Sequence, residues 1–215
     1  MREPSGTKES IFDTFLEMTA TFGYENVSIR DIASKVGINS ASIYHHFESK
    51  EKLLSFAYDY FHKYQYDNRK SADEMKAMLK TSTPAEIISG FAYTFETDDP
   101  KRYARMILIA KIIYMRIFQE QNARIIFLDQ HANNVEFISS VLKHGVHTGI
   151  IDPDFDIEAF AHVFVGSLES MGARAFAEPG YSVGQIEYEK FILKMIAQLY
   201  STALTAGQSP PPAQR

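Results

Sequence analysis

Residues 28–53 read SIRDIASKVGINSASIYHHFESKEKL, and this stretch decides the fold of the first part of the chain. The hydroxyl of Ser28 can cap the free N–H groups at the start of a helix, and Asp31 stands three residues later in the capping-box position. Apolar residues then recur at helical spacing as far as Gly37, which tolerates the positive φ of a tight turn. The pattern predicts a short helix that ends at Gly37.

A second short helix is predicted over about residues 39–46, with Ile43 and Phe47 facing the core. Two short helices around a tight turn that contains glycine form a helix-turn-helix, whose second helix fits the major groove of DNA. An ordinary helical hairpin with a polar face is the alternative.

The outward residues of the second helix suit contact with DNA. Ala41 and Ser42 are small and let the helix approach base edges, whereas the Tyr44 hydroxyl can reach a phosphate. Lys50 stands at the start of the next helix, and helix N-termini attract phosphate. We expect Ser40, Ala41 and Ser42 to approach the bases. The residues expected to position the DNA backbone are Ser28, Arg30, Lys35, Asn39, Tyr44, His45, His46 and Lys50.

This stretch resembles the DNA-binding signature of TetR/AcrR-type transcriptional regulators. The family pattern runs Thr/Ser, Ile-Ala, a glycine turn, a helix of small residues, Tyr-x-His/Tyr-Phe and a Lys-Glu-x-Leu helix start. Here the matching residues are Ser28, Ile32-Ala33, Gly37, Ser40-Ala41-Ser42, Tyr44-His45-His46-Phe47 and Lys50-Glu51-Lys52-Leu53. A weaker similarity, to a helix junction common in the family, lies at 149–172. The resemblance implies a dimeric regulator with a ligand cavity in its body.

The composition bears on which kinds of protein and site are possible. The net charge is −5, whereas nucleic-acid binders usually carry a basic surface, so DNA affinity must come from local placement and from two copies of the motif. There is no cysteine, which excludes disulfides and thiolate zinc sites and fits a cytoplasmic protein. We find no apolar run long enough for a membrane span and no secretory leader, so no membrane partner is expected.

The whole chain is predicted to be all-α, with about nine helices and no alternating β pattern. A first helix over Thr7–Phe22 completes a three-helix head, and a long helix runs from Lys50 to about Asn68. Lys70–Ser82 is interpreted as a helical end and a loop. Later helices are predicted to begin near Thr83, Asp99, Asp156 and Ser182. The expected domains are a helix-turn-helix domain over 1–48, a larger helical regulatory domain over 49–204 and a disordered tail over 205–215.

The body contains polar residues among aromatic ones, which is the usual character of a small-molecule site. The helix Pro100–Phe118 is apolar on nearly every side and is predicted to be central and buried. Each polar residue could equally be a surface group or a satisfied interior pair. The candidate pocket residues are Tyr93, Tyr114, Arg116, His131, Asn134 and Glu169.

His144 and His147 are three residues apart and could share a metal ion, but they are better explained as cations at a helix C-terminus before Gly149. No nucleophile–base pair stands at a recognisable spacing. We therefore expect no catalytic residue, no metal and no cofactor.

The last two helices, over about 157–176 and 183–204, are predicted to form a dimer seam. The first mixes large apolar residues with small ones, and the second carries a stripe of large residues at helical spacing. The alternative is that the apolar residues of both helices pack against the core of their own chain. The seam residues are Phe160, Phe164, Ser167, Met171, Tyr188, Ile192, Met195 and Leu199.

The leading functional hypothesis is a homodimeric repressor that binds an inverted repeat in double-stranded DNA and is released by an unknown small-molecule effector. A dimeric DNA-binding regulator without a ligand is the first alternative. A helical enzyme that carries a helix-turn-helix is the second.

Overall fold

The chain is all-α in a computed structural model that describes residues 5–68, 72–91 and 99–178. Within those ranges there are nine α-helices, one short 3-10 turn (Tyr24–Asn26) and no strand. The helices are α1 Thr7–Phe22, α2 Ile29–Val36, α3 Ser40–Tyr44, α4 Lys50–Asn68, α5 Ala72–Thr81, α6 Pro84–Phe91, α7 Pro100–Arg116, α8 Gln121–His147 and α9 Ile157–Ala177. The predicted helix near Ser182 and the predicted tail lie outside the described residues.

By their contacts, the described residues form two compact units. Residues 5–68 and 99–129 make one, which we call the head unit, and residues 72–91 and 130–178 make the other, which we call the body unit. The head unit therefore joins the N-terminal helices to α7, which comes much later in the chain. The predicted boundary at residues 48 and 49 stays a prediction.

The core of the head unit is built on one face of α1. Phe12 and Phe15 are fully buried there, and the Phe12 ring meets Phe56 of α4 edge-on, with centroids 4.9 Å apart. Helix α7 covers the same core with Met106, Ile109, Ile112 and Ile113. Burial of side chains of this size stabilises the fold by roughly 1.5–3 kcal/mol each.

The body unit has a separate core, formed by α6, α8 and α9. Its fully buried residues include Ile88, Ile138, Leu142, Ala161 and Phe164. Helix α6 begins in a capping box, because the Thr83 N–H donates to Glu86 and the Glu86 N–H donates to the Thr83 hydroxyl. Helix α8 ends just before Gly149, which has φ 72°.

Three expectations about the helices are wrong. The segment interpreted as a helical end and a loop contains the helix Ala72–Thr81, because Met75, Met78 and Leu79 pack on the body core. Helical spacing predicts that Phe22 lies on the apolar face of the first helix, but it is 59% exposed, since it stands at the last position of α1. The helix predicted over 100–118 ends at Arg116, and Phe118 beyond it is 87% exposed.

Candidate nucleic-acid interface

Helix α2 begins in the predicted capping box. The Ser28 N–H donates to Asp31 Oδ2 at 2.9 Å, and the Asp31 N–H donates to the Ser28 hydroxyl at 3.2 Å. Hydrogen bonds from the hydroxyl and the backbone N–H of Ser28 hold the pKa of the Asp31 carboxyl below its usual value. The helix ends at Gly37, whose φ of 79° is left-handed and whose N–H donates to the Ala33 carbonyl at 3.0 Å.

Helix α3 is shorter than predicted, and Asn39 is its cap. The Asn39 Oδ1 accepts hydrogen bonds from the N–H of Ser42 at 2.8 Å and from its hydroxyl at 3.0 Å. Ile43 is fully buried and Phe47 nearly so, which fixes the helix on the head core. Its other face is open: Tyr44 is 53% exposed. Ala41, His45 and His46 are also exposed, and Ser40 and Ser42 are half-buried.

The remaining predicted contact residues lie around these two helices. Ser28, Arg30, Lys35 and Asn39 are all exposed. Lys35 forms an ion pair of 3.7 Å with Glu17 of α1. An exposed pair of this kind contributes little to stability, so the Lys35 ammonium can exchange its partner for a phosphate at small cost.

Lys50 has a structural role that the sequence did not indicate. Its Nζ donates to the carbonyls of Tyr24 at 3.0 Å and Val27 at 2.9 Å, and it lies 4.0 Å from the centre of the Tyr24 ring. Two of the three ammonium donors are thereby used within the protein. Lys50 thus ties the start of α4 to the turn before α2.

The ring of Tyr24 has a second cation beside it. The Arg116 guanidinium lies 4.2 Å from its centre, and Arg116 also pairs with Glu25 at 3.3 Å and Glu120 at 2.6 Å. The Tyr58 hydroxyl donates to the same Glu120 at 2.7 Å. This cluster connects the end of α7 to the turn that precedes α2. Of these contacts, only the Arg116–Glu120 pair could be predicted from the sequence, because its two residues are four positions apart.

Lys8, at the start of α1, is held against two aromatic rings of the head core. Its Nζ lies 5.1 Å from the centre of Phe47 and 4.7 Å from that of Phe56. It lines an open groove together with His46, Phe47, Glu48, Lys52, Ser55, Phe56 and Asp59. The groove carries both signs of charge beside the exposed face of α3.

Comparison with known proteins agrees with this arrangement. The family model described as "Bacterial regulatory proteins, tetR family" matches residues 11–55. The HTH-type transcriptional repressor KstR2 of Rhodococcus jostii (strain RHA1) is 30% identical to this chain over 165 residues, which is 72% of each protein. The chain belongs to the TetR family. It is therefore a DNA-binding transcriptional regulator.

Solved structures share the fold of this TetR-family protein. The ketosteroid transcriptional regulator KstR2 of Mycobacterium tuberculosis has a TM-score of 0.63 and 21% identity, over 92% of this chain and 96% of that one. A transcriptional regulator from Saccharomonospora viridis in complex with choline has a TM-score of 0.61 and 20% identity, over 88% and 95% of the two chains.

The predicted pocket residues of this TetR-family protein divide between the two units. Tyr114 and Arg116 belong to the head unit, where Tyr114 packs edge-on against Phe127 with ring centres 5.7 Å apart. His131, Asn134 and Glu169 belong to the body unit, and His131 Nδ1 lies 2.9 Å from Glu169 Oε1. Tyr93 lies outside the residues whose side chains are described. The pocket stays a prediction.

The predicted dimer seam needs one correction. Phe164 is fully buried and stacks on Phe160 within the body core, so it faces its own unit and not a second copy. Phe160 and Met171 are half-buried against the same core, and the Ser167 hydroxyl donates to the Val163 carbonyl at 2.7 Å. Tyr188, Ile192, Met195 and Leu199 lie outside the described residues.

Within the described part of the chain, none of the helices is long and apolar enough to cross a bilayer. No group of three or more His, Cys, Asp or Glu side chains converges there in a way that could hold a metal ion. Near the end of α8, His144 is half-buried and His147 exposed.

Proposed function

We propose that this TetR-family chain is a repressor that binds an inverted-repeat operator as a homodimer and leaves it when a small molecule fills the body. The observation that carries the proposal is the two-sided character of α3. Its Ile43 side chain is buried in the head core, while the neighbouring Tyr44 is 53% exposed. A recognition helix needs a fixed inner face and a free outer one.

The docking that we propose places α3 in the major groove. Ser40, Ala41 and Ser42 then approach base edges, because their small side chains let the helix backbone come close. Tyr44, His45 and His46 lie beside them, where a hydroxyl or ring N–H reaches phosphate oxygens. The start of α2 adds Ser28 and Arg30, and Lys35 completes the set by exchanging its Glu17 partner for phosphate.

Lys50 is the weakest member of the proposed contact set. Two of its hydrogen bonds go to the backbone carbonyls of Tyr24 and Val27, so at most one N–H donor points to DNA. We propose that Lys50 acts mainly by holding the turn before α2 in place. Its loss then weakens DNA binding through the position of α2.

Charge supports a paired arrangement of heads. A net charge of −5 gives weak non-specific attraction to DNA, so one head alone is a poor binder. Two heads on one duplex double the number of contacts, and a two-fold dimer reads an inverted repeat. The operator DNA of a bacterium lies in the cytoplasm, which is the proposed place of action.

Release by an effector is supported by the family alone. The neighbour from Saccharomonospora viridis was solved in complex with choline, which is a property of that protein. For this chain, an effector can shift the balance only by its preference for the form that does not bind DNA.

Selection of bound sequences from random DNA tests the first part of the proposal. We expect an inverted repeat, because each half-site is read by one head. Tyr44→Ala should weaken binding to the selected sequence several-fold, with the thermal transition unchanged. Tyr103→Ala is the matched control, since Tyr103 is also an exposed tyrosine (42%) but lies on α7.

A selection without any preferred sequence would reject operator recognition. A preferred sequence bound equally well by the Tyr44→Ala protein would remove Tyr44 from the contact set. A thermal-shift screen tests the effector, because a ligand that binds the folded form raises its apparent stability. If no small molecule stabilises the protein or releases it from the operator, the chain is a regulator that works without a ligand.

A further inference from the structure

Two histidines meet across the body unit, one from α8 and one from α9. His131 Nε2 lies 3.3 Å from His162 Nδ1, and the two rings are inclined by 30° with their centres 5.5 Å apart. Both residues lie within the described body, and His162 is exposed to solvent. The DNA-binding role of the chain makes no use of this pair.

The third member of the cluster is Glu169, two turns further along α9. Its Oε1 lies 2.9 Å from His131 Nδ1, and both side chains are about three-quarters buried, with 23% and 27% exposed. A carboxylate accepts a hydrogen bond from an N–H, so Glu169 favours the ring form with the proton on Nδ1. The lone pair of His131 is then on Nε2, the atom that faces His162.

We propose that His131 and His162 bind one divalent transition-metal ion, with Glu169 as the residue that orients His131. Tetrahedral zinc has Zn–N bonds of about 2.0–2.1 Å, which places two ligand nitrogens roughly 3.3 Å apart. The separation of His131 Nε2 and His162 Nδ1 is that distance.

The position of Glu169 fits the same chemistry. A histidine that binds a metal usually donates its other ring N–H to a carboxylate, which fixes the ring and makes the free nitrogen more basic. Imidazole nitrogens suit zinc, copper and nickel, whereas magnesium and calcium prefer oxygen ligands. The site is therefore one for a transition metal.

Only two protein nitrogens are contributed by the described residues, which agrees with the lack of any three-residue metal group among them. Water completes the coordination in this proposal, at two positions where the open zinc sites of enzymes keep one. The neutral His162 ring then carries its proton on Nε2, and its Nδ1 lone pair joins that of His131. The ion links α8 to α9, so binding should stiffen the body unit.

Zinc titration of the full-length protein without an affinity tag tests the site, with a chromophoric chelator as competitor. We expect one zinc ion per chain and a rise in the thermal transition when zinc is added. His162→Ala and His131→Ala should each weaken zinc binding at least tenfold. Glu169→Gln should weaken it about 10- to 100-fold, as is usual for residues that orient a metal ligand.

His147→Ala is the matched control, because His147 also lies on α8, is exposed and has a second histidine three residues away. Its zinc affinity should equal that of the parent. Because His162 is exposed, its replacement is expected to leave the fold intact, and circular dichroism checks this.

Three results would overturn the proposal. The parent protein could fail to take up zinc in competition with the chelator. His162→Ala could keep the parent affinity, in which case the two rings only share a proton. His147→Ala could lose as much affinity as His162→Ala, which would place the ion at the end of α8. DNA binding is measured separately, so none of these results bears on operator recognition.

Discussion

Arg105 of α7 holds Asp13 of α1 with two nitrogens at once. Its Nε lies 2.6 Å from Asp13 Oδ1 and its Nη2 lies 3.1 Å from Asp13 Oδ2, while Nη2 also lies 2.9 Å from Glu9. Arg105 is only 5% exposed, although it is charged. Helix α1 is therefore fastened to α7 by a paired, largely buried cation.

Removal of this cation should destabilise the protein. In Arg105→Met the side chain keeps its length, but Asp13 and Glu9 lose their best partner while remaining partly buried. We expect the free energy of unfolding to fall by about 1–3 kcal/mol, which is usual when a charged hydrogen-bond partner is removed from a buried group. Urea denaturation followed by circular dichroism measures it.

Lys101→Met is the control for that experiment. Lys101 also pairs with Glu9 and Asp13, but its side chain is 56% exposed. Water replaces a partner at such a position, so little change in stability is expected. If the free energy of unfolding falls equally in the two variants, the burial of Arg105 does not account for the strength of its ion pairs with Asp13 and Glu9.

The capping box of α2 gives a second prediction. Ser28→Ala removes the hydroxyl that accepts the Asp31 N–H, and should lower the free energy of unfolding by about 1 kcal/mol. Ser34→Ala in the same helix is the control, because Ser34 is exposed and alanine favours a helix interior. If the two variants are equally stable, Ser28 contributes nothing as a cap.

Asp31 adds a pH dependence to that cap. Its pKa is lowered in the folded protein by the hydrogen bonds from Ser28, so its contribution is present above the ordinary carboxyl pKa. The contribution is lost as pH falls through the folded value. Asp31→Asn should therefore be less stable than the parent near neutral pH, and the difference should disappear in acid. A difference that is constant with pH would contradict the assignment.

The Tyr24 hydroxyl gives a prediction about stability at alkaline pH. Burial, then the nearby charge of Glu51, raises the pKa of its hydroxyl to about 12. The pKa of an unfolded tyrosine is about 10, so between these two values the unfolded chain loses a proton that the folded chain keeps. The Tyr24 contribution to stability should therefore decline as pH rises through this window. The tyrosinate absorbance of the parent minus that of Tyr24→Phe should titrate near 12 and not near 10.

Gly145 of α8 is packed too closely to accept a side chain. A Cβ there would lie 2.5 Å from Ile151 Cδ1, 2.9 Å from Ile151 Cγ1 and 3.1 Å from Pro84. Gly145→Ala should lower the free energy of unfolding by about 1–3 kcal/mol through overpacking, in spite of the better helix propensity of alanine.

Gly172→Ala in α9 is the matched substitution, since nothing lies within 4 Å of its added methyl group. Thermal denaturation of the two variants should move in opposite directions. A rise for both would mean that Ile151 shifts freely to make room.

Local features of the fold could be predicted from the sequence, because their causes are local. Ser28 with Asp31, Thr83 with Glu86, and Asp99 with Pro100 all mark helix starts that the structure contains. The α5 helix was missed although its signal exists: Met75, Met78 and Leu79 have the spacing of one helical face.

Pairings between distant residues could not be predicted in this way. Arg105 and Asp13 are 92 positions apart, and nothing in either neighbourhood indicates the other. The place of Lys50 at a helix start predicts a phosphate contact. In the structure its ammonium group instead donates hydrogen bonds to the carbonyls of Tyr24 and Val27. The local sequence shows that a residue is polar and can pair with several kinds of group. Only the fold shows which partner it has.

The way α7 covers α1 restricts how this regulator can be re-engineered. A hybrid regulator that takes only the first helices of this chain would leave α7 behind. In this chain Met106, Ile109 and Arg105 of α7 complete the hydrophobic and ionic surroundings of α1. A hybrid in which the transferred segment ends after α3 or α4 would lack α7. The phenylalanines of α1 would then be exposed, and its carboxylates would lack their ion-pair partner. A working hybrid must bring the matching face of α7 along.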